Sequence, residues 1–148
     1  MADVKTVPEF SLAGTGGREI SSADYKEKKW VLFFFPGAFT PTCSKECVDF
    51  ERRIEAFRAA GAEVLGVSVD SKWTLDVFSA TSGGLSYPLA SDLRREVGTR
   101  FGVFLPEKGY EARAIFVIGK DGSIKWSKTY DLKTTPDLNE VLEAVKKA

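Results

Sequence analysis

Six consecutive large apolar residues, Trp30-Val31-Leu32-Phe33-Phe34-Phe35, stop at Pro36-Gly37. A strand with one wetted face alternates apolar and polar side chains. An unbroken run has no polar side, so it predicts a central strand covered on both faces. The continuation is helical: Cys43, Cys47, Phe50, Ile54 and Phe57 form one apolar stripe, charged residues fill much of the rest, and Gly61 is placed to end the helix. Residues 63–69 read as a second buried strand, and Asp70-Ser71 as the cap of a helix over 72–82 that Gly83-Gly84 terminates. Beyond Tyr87-Pro88 the pattern predicts a short segment at 89–91 and a helix over 93–101. A strand over 112–118 then turns at Lys120-Asp121-Gly122 into a return strand over 123–130, and Thr135-Pro136 opens a final helix. Upstream, 8–12 and 18–20 read as a short N-terminal hairpin around Gly14-Thr15-Gly16-Gly17. Strands alternating with helices predict a three-layer α/β domain with a mixed sheet, filling residues 1–148.

Composition matters mainly through what is missing. The chain has no histidine and only two cysteines, Cys43 and Cys47. That excludes Ser-His-Asp and Cys-His nucleophilic pairs, and two cysteines fall short of a four-ligand zinc site. No cofactor or metal is expected. Lys plus Arg equals Asp plus Glu at 21 each, so no overall field draws the chain to nucleic acid or an anionic membrane. The polar stretch Met1-Ala2-Asp3-Val4-Lys5 does not read as a secretory signal, and the longest apolar run is too short to span a bilayer. A cytoplasmic location, where thiols stay reduced, is the expectation.

The chemistry concentrates between the first buried strand and the striped helix. Cys43 falls in the first helical turn, where unpaired N–H groups and the macrodipole favour an anion, and the thiolate is the reactive form of a thiol. Pro36 and Pro41 stiffen the loop, and Thr40 lies three residues before the thiol. Without imidazole, helix position and a nearby cation remain as the means of activation.

Pro36, Thr40 and Cys43 reproduce a P-x-x-x-T-x-x-C pattern directly after the apolar strand, with Glu46 three residues on and Arg113 in Ala112-Arg113-Ala114-Ile115-Phe116. In these residues, and along nearly the whole chain, the sequence resembles the peroxiredoxins, most closely the short bacterioferritin-comigratory and AhpE-like members. The resemblance implies a thioredoxin-like fold and reduction of hydroperoxides without metal, haem or flavin. It implies that Cys43 attacks the peroxide, with Thr40 bonding substrate or sulfur, Arg113 stabilising charge, Glu46 orienting Arg113 and Pro36 shielding the thiolate. It implies thioredoxin, glutaredoxin or a low-molecular-weight thiol as reductant, and a homodimer.

Local readings stand beside these roles. Thr40 also suits a cap, Pro36 a strand stop, Glu46 a favoured first-turn acid, and Arg113 an exposed ion pair. Cys47 reads either as a resolving cysteine or as a core residue, and its C-x-x-x-C spacing is one residue shorter than the resembled proteins usually show. Phe39 and Trp73 read as core, or as apolar surface near the site. A thioredoxin-like disulfide oxidoreductase is the rival enzyme, though it would use C-x-x-C; a non-catalytic redox sensor is the rival of another class.

Overall fold

The computed structural model describes residues 4–148; Met1, Ala2 and Asp3 of the polar N-terminal stretch lie outside the described residues. The apolar run forms β3 of a sheet that begins with β1 (Ser11–Gly14) and β2 (Glu19–Ser21); β3 itself spans Lys29–Phe34. After it come α1 (Pro41–Arg52), α2 (Ile54–Ala59), β4 (Ala62–Ser68), α3 (Lys72–Thr81), β5 (Leu89–Ser91) and α4 (Glu96–Arg100). The chain closes with β6 (Phe104–Leu105), β7 (Tyr110–Glu111), β8 (Arg113–Ile118), β9 (Ile124–Tyr130) and α5 (Leu138–Lys147). Seven strands form one mixed sheet in the order β2-β1-β5-β4-β3-β8-β9. In it β3, β4 and β5 run parallel, while β8, β9 and the N-terminal hairpin are antiparallel.

The unbroken apolar run has its expected cause. Val31, Phe33 and Phe35 enter one core with α1, α2, α3 and α5, while Trp30, Leu32 and Phe34 enter a second core that includes Val97 and Phe101 around α4. Strand alternation sends successive side chains to opposite faces, so a strand buried on both must be apolar throughout.

Several local expectations shift. The striped helix is broken at Arg53, whose backbone (φ −104°, ψ 6°) leaves the helical region while its guanidinium bonds Asn139 at the start of α5. The N-terminal hairpin sits further along than 8–12 and 18–20, with Ser11 opposite Ser21. The helix expected over 93–101 starts later, because the Asp92 carboxylate accepts from the N–H groups of Val97 and Gly98 and gathers the intervening residues into a turn. The final helix is capped by Asp137 rather than opened at Thr135-Pro136. Of Asp70-Ser71, Ser71 alone caps α3, accepting from the Thr74 N–H. The small β6–β7 hairpin has no counterpart in the sequence pattern, being too short to show a period.

Candidate active site

The loop 36–40 leaves the end of β3 and delivers the chain to α1. Thr40 is the N-cap, in extended conformation, and Pro41 occupies the first helical turn, where no N–H is needed. The first bond of the helix runs from the Ser44 N–H to the Thr40 carbonyl, so the N–H groups of Thr42 and Cys43 precede the internal ladder. Phe39 adopts a left-handed φ of 68°, an uncommon conformation for a non-glycine residue and a local strain. Two contacts hold the loop: the Thr40 hydroxyl donates to the Gly37 carbonyl at 2.9 Å, and the Ala38 N–H donates to Asp70 at 2.8 Å.

Cys43 is buried, yet its side of the loop opens into a cleft of about 330 Å³ lined by Pro36, Thr40, Cys43, Tyr110, Arg113 and Leu132, among others. Arg113 enters from the start of β8, and it is buried, not part of an exposed pair. One guanidinium nitrogen, Nη2, donates to the Cys43 sulfur at 3.3 Å and to the Leu132 carbonyl at 2.8 Å; Nη1 donates to Glu46 at 2.5 Å. A planar fork can make these contacts together, whereas a lysine offers one point of charge. Burial works against the Arg113 charge, but Glu46 and the Cys43 sulfur outweigh it and raise its pKa. Burial raises the fully buried Glu46 carboxyl to about 7, with Arg113 opposing the rise.

The six residues expected at the site do not all meet at the sulfur. Cys43, Arg113 and Glu46 form one bonded chain; Pro36 and Thr40 line the same cleft, with the Thr40 hydroxyl turned to Gly37. Cys47 lies one turn further along α1, buried in the first core, and both thiols are free. Burial first, then Glu46 and Cys43, pushes the Cys47 pKa well above its ordinary value. The Tyr87 hydroxyl donates to the Cys47 carbonyl at 2.6 Å and clamps this part of the helix. Phe39 and Trp73 are both exposed, and neither is core. The sequence pattern does not point to Tyr110 or Leu132, and it marks Asp70 only as a helix cap. Leu132 acts through its backbone carbonyl, which no side-chain pattern announces.

A thioredoxin-like sheet that sets a reduced cysteine at a helix N-terminus against a buried guanidinium defines a thiol-based redox protein. The family model described as AhpC/TSA matches residues 4–127. Peroxiredoxin 2 of Picrophilus torridus is 31% identical over 96% of this chain and 73% of that protein. The mitochondrial thioredoxin-dependent peroxide reductase of Drosophila melanogaster is 36% identical over 87% of this chain and 58% of that protein. Enterococcus faecalis AhpC superimposes with a TM-score of 0.93, covering 99% of this chain and 92% of that one at 23% identity, a likeness of fold. The chain belongs to the AhpC/TSA family, the peroxiredoxins, and its activity is that of a thiol-dependent peroxidase.

Proposed function

We propose that Cys43 is the peroxide-attacking thiolate of this enzyme. Its sulfur attacks the terminal oxygen of a hydroperoxide; the O–O bond breaks and that oxygen stays on the sulfur as a sulfenic acid. The departing oxygen takes up the proton the thiol gave up and leaves as water or an alcohol. Arg113 and the Cys43 N–H stabilise charge moving onto the departing oxygen, because buried, preoriented donors act without reorganising. Glu46 and the Leu132 carbonyl hold the guanidinium in place, Pro36 limits water at the sulfur, and the Thr40 oxygen keeps acceptor capacity for a peroxide O–H. The observation that carries this reading is Arg113 bonded at once to the sulfur, Glu46 and Leu132 inside the cleft. Reduced protein mixed with stoichiometric hydrogen peroxide should lose one thiol far faster than free cysteine, and Cys43→Ser should abolish the fast phase. A fast phase that survives Cys43→Ser rejects the assignment.

Recycling runs through Cys47 in this proposal. In the intact helix Cys47 is buried with a raised pKa, a poor nucleophile. Unwinding the first turns of α1 would both relieve the burial that raises its pKa and free the Cβ directions that a disulfide needs. The sulfenic oxygen leaves as water when the Cys47 sulfur attacks. Mass spectrometry showing only mixed disulfides or overoxidised Cys43 would assign resolution to an external thiol and Cys47 to the core. Thioredoxin is the reductant best supported, since the Drosophila relative is named for it; glutaredoxin and small thiols are the other arms of a reductant assay. The exposed Phe39, Trp73, Val77 and Leu93 support a homodimer, which sedimentation would detect. None of the described helices is long and apolar enough to cross a membrane; a cytoplasmic location is proposed from the reduced thiols the reaction requires.

A further inference from the structure

On the opposite side of the sheet from Glu46, the β6–β7 hairpin buries another acid that the reaction does not use. Glu111 is fully buried, and neither of its carboxyl oxygens meets an N–H or O–H donor. Its neighbours explain why the group is nevertheless held in one place. The carboxyl lies against Gly98 of α4, where an added Cβ would stand 2.8 Å from the carboxyl carbon. Facing it are Asp92 from the turn after β5, Arg95 at the start of α4 and, further off, Asp70 beyond β4. Arg95 directs its guanidinium to the carbonyls of Gly109 and Leu93. Asp92, itself buried, accepts from the Val97 and Gly98 N–H groups at 3.1 and 2.7 Å.

Two carboxylates cannot bond each other, and an isolated buried carboxylate is among the costliest groups a protein can hold. One proton removes both difficulties. Asp92 has two N–H donors that favour its anion, whereas Glu111 has none, so the proton belongs on Glu111. We infer that Glu111 is a neutral acid that donates a hydrogen bond to the Asp92 carboxylate, and that this acid pair positions Tyr110 and Arg113 at the peroxide cleft. Tyr110 precedes Glu111 and Arg113 follows it by two residues; both line the cleft. Anchoring Glu111 under α4 therefore fixes where β8 begins. Burial and Asp92 raise the Glu111 pKa to about 11, the same direction as the geometry. The consequence for peroxide rests on the role proposed for Cys43; the protonation of Glu111 does not.

Carbon-13 NMR of the full-length reduced protein at neutral pH is the direct test. The Glu111 carboxyl carbon should show the shift of an undissociated acid, and Asp92 that of a carboxylate; an ionised Glu111 overturns the pairing. The positioning role is read from the rate of Cys43 oxidation. Glu111→Ala should slow it about tenfold by loosening Arg113, and Glu111→Gln, which keeps a donor toward Asp92, should restore most of the rate. Equal rates in Glu111→Ala and wild type, or a Gln variant as slow as the Ala variant, overturn the positioning role. A wild type with no fast thiol loss counts against Cys43 alone, and the protonation state read by NMR still decides the acid pair.

Discussion

Glu46 and Glu111 are both fully buried acids, yet their surroundings give them opposite work. Glu46 faces the guanidinium of Arg113; Glu111 faces the carboxyl of Asp92. Burial raises both, Glu46 to about 7 and Glu111 to about 11. Beside Glu46 a cation opposes the rise, and beside Glu111 a second acid adds to it. Burial sets the direction of the shift, and the sign of the neighbour sets how far it goes. The cation-paired acid can hold a charged group at the sulfur, while the acid-paired one supplies a neutral anchor.

Removing the cation should break the contrast most severely. Arg113→Ala leaves Glu46 buried without its partner, which should cost about 3–5 kcal/mol in urea unfolding. The rate of Cys43 oxidation, followed by stopped flow, should fall by about 10²–10³. A stability loss below about 1 kcal/mol would mean that Glu46 does not depend on the pair.

The second expectation concerns pH. Both folded pKa values lie above the ordinary 4.5, so folding takes up protons. Stability is therefore greatest at and below about pH 4.5 as far as these groups are concerned, and it falls as pH rises. The decline from Glu46 should be complete shortly above pH 7, whereas that from Glu111 should continue toward 11. Between pH 7 and 9 the wild type should lose about 1.4 kcal/mol per pH unit, and Glu111→Gln should remove that slope. Denaturant titrations at several pH values check it; an unchanged slope in the Gln variant assigns the protons elsewhere.

Smaller changes sharpen the same contrast. Gly98→Ala should destabilise by about 1–3 kcal/mol because the added methyl meets the held carboxyl. The penalty should shrink in a Glu111→Ala background, and a double-mutant cycle with no coupling would show that the two do not press on each other. Tyr87→Phe removes the bond to the Cys47 carbonyl and should cost about 1 kcal/mol. It should also speed formation of the Cys43–Cys47 disulfide a fewfold if unwinding of α1 limits that step.

How much of this was legible depends on the range of each interaction. The run from Trp30 to Phe35 and the stripe from Cys43 to Phe57 act over a few residues, so their periods announced a buried strand and an amphipathic helix. The break at Arg53 was not announced; the guanidinium there bonds Asn139, 86 residues away, a contact that no local spacing shows. Thr40 and Pro36 were legible as lining residues, but the partner of the Thr40 hydroxyl was not. Arg113 was found through the family resemblance, with an exposed ion pair as the lesser local reading, and its burial decides between them.

By itself, then, the sequence determined a thiol in the first turn of a helix, after a strand buried on both faces, in a chain without histidine. Local periodicity and backbone chemistry suffice for that. Only the tertiary structure decided what meets the thiol. Pairing of β3 with β8, with Phe34 opposite Ala114, carries Arg113 across 70 residues to the Cys43 sulfur. The same folding sets Glu111 against Asp92. Which acid receives a cation and which receives another acid is a matter of sheet register and loop closure, and neither is written in the spacing of nearby residues.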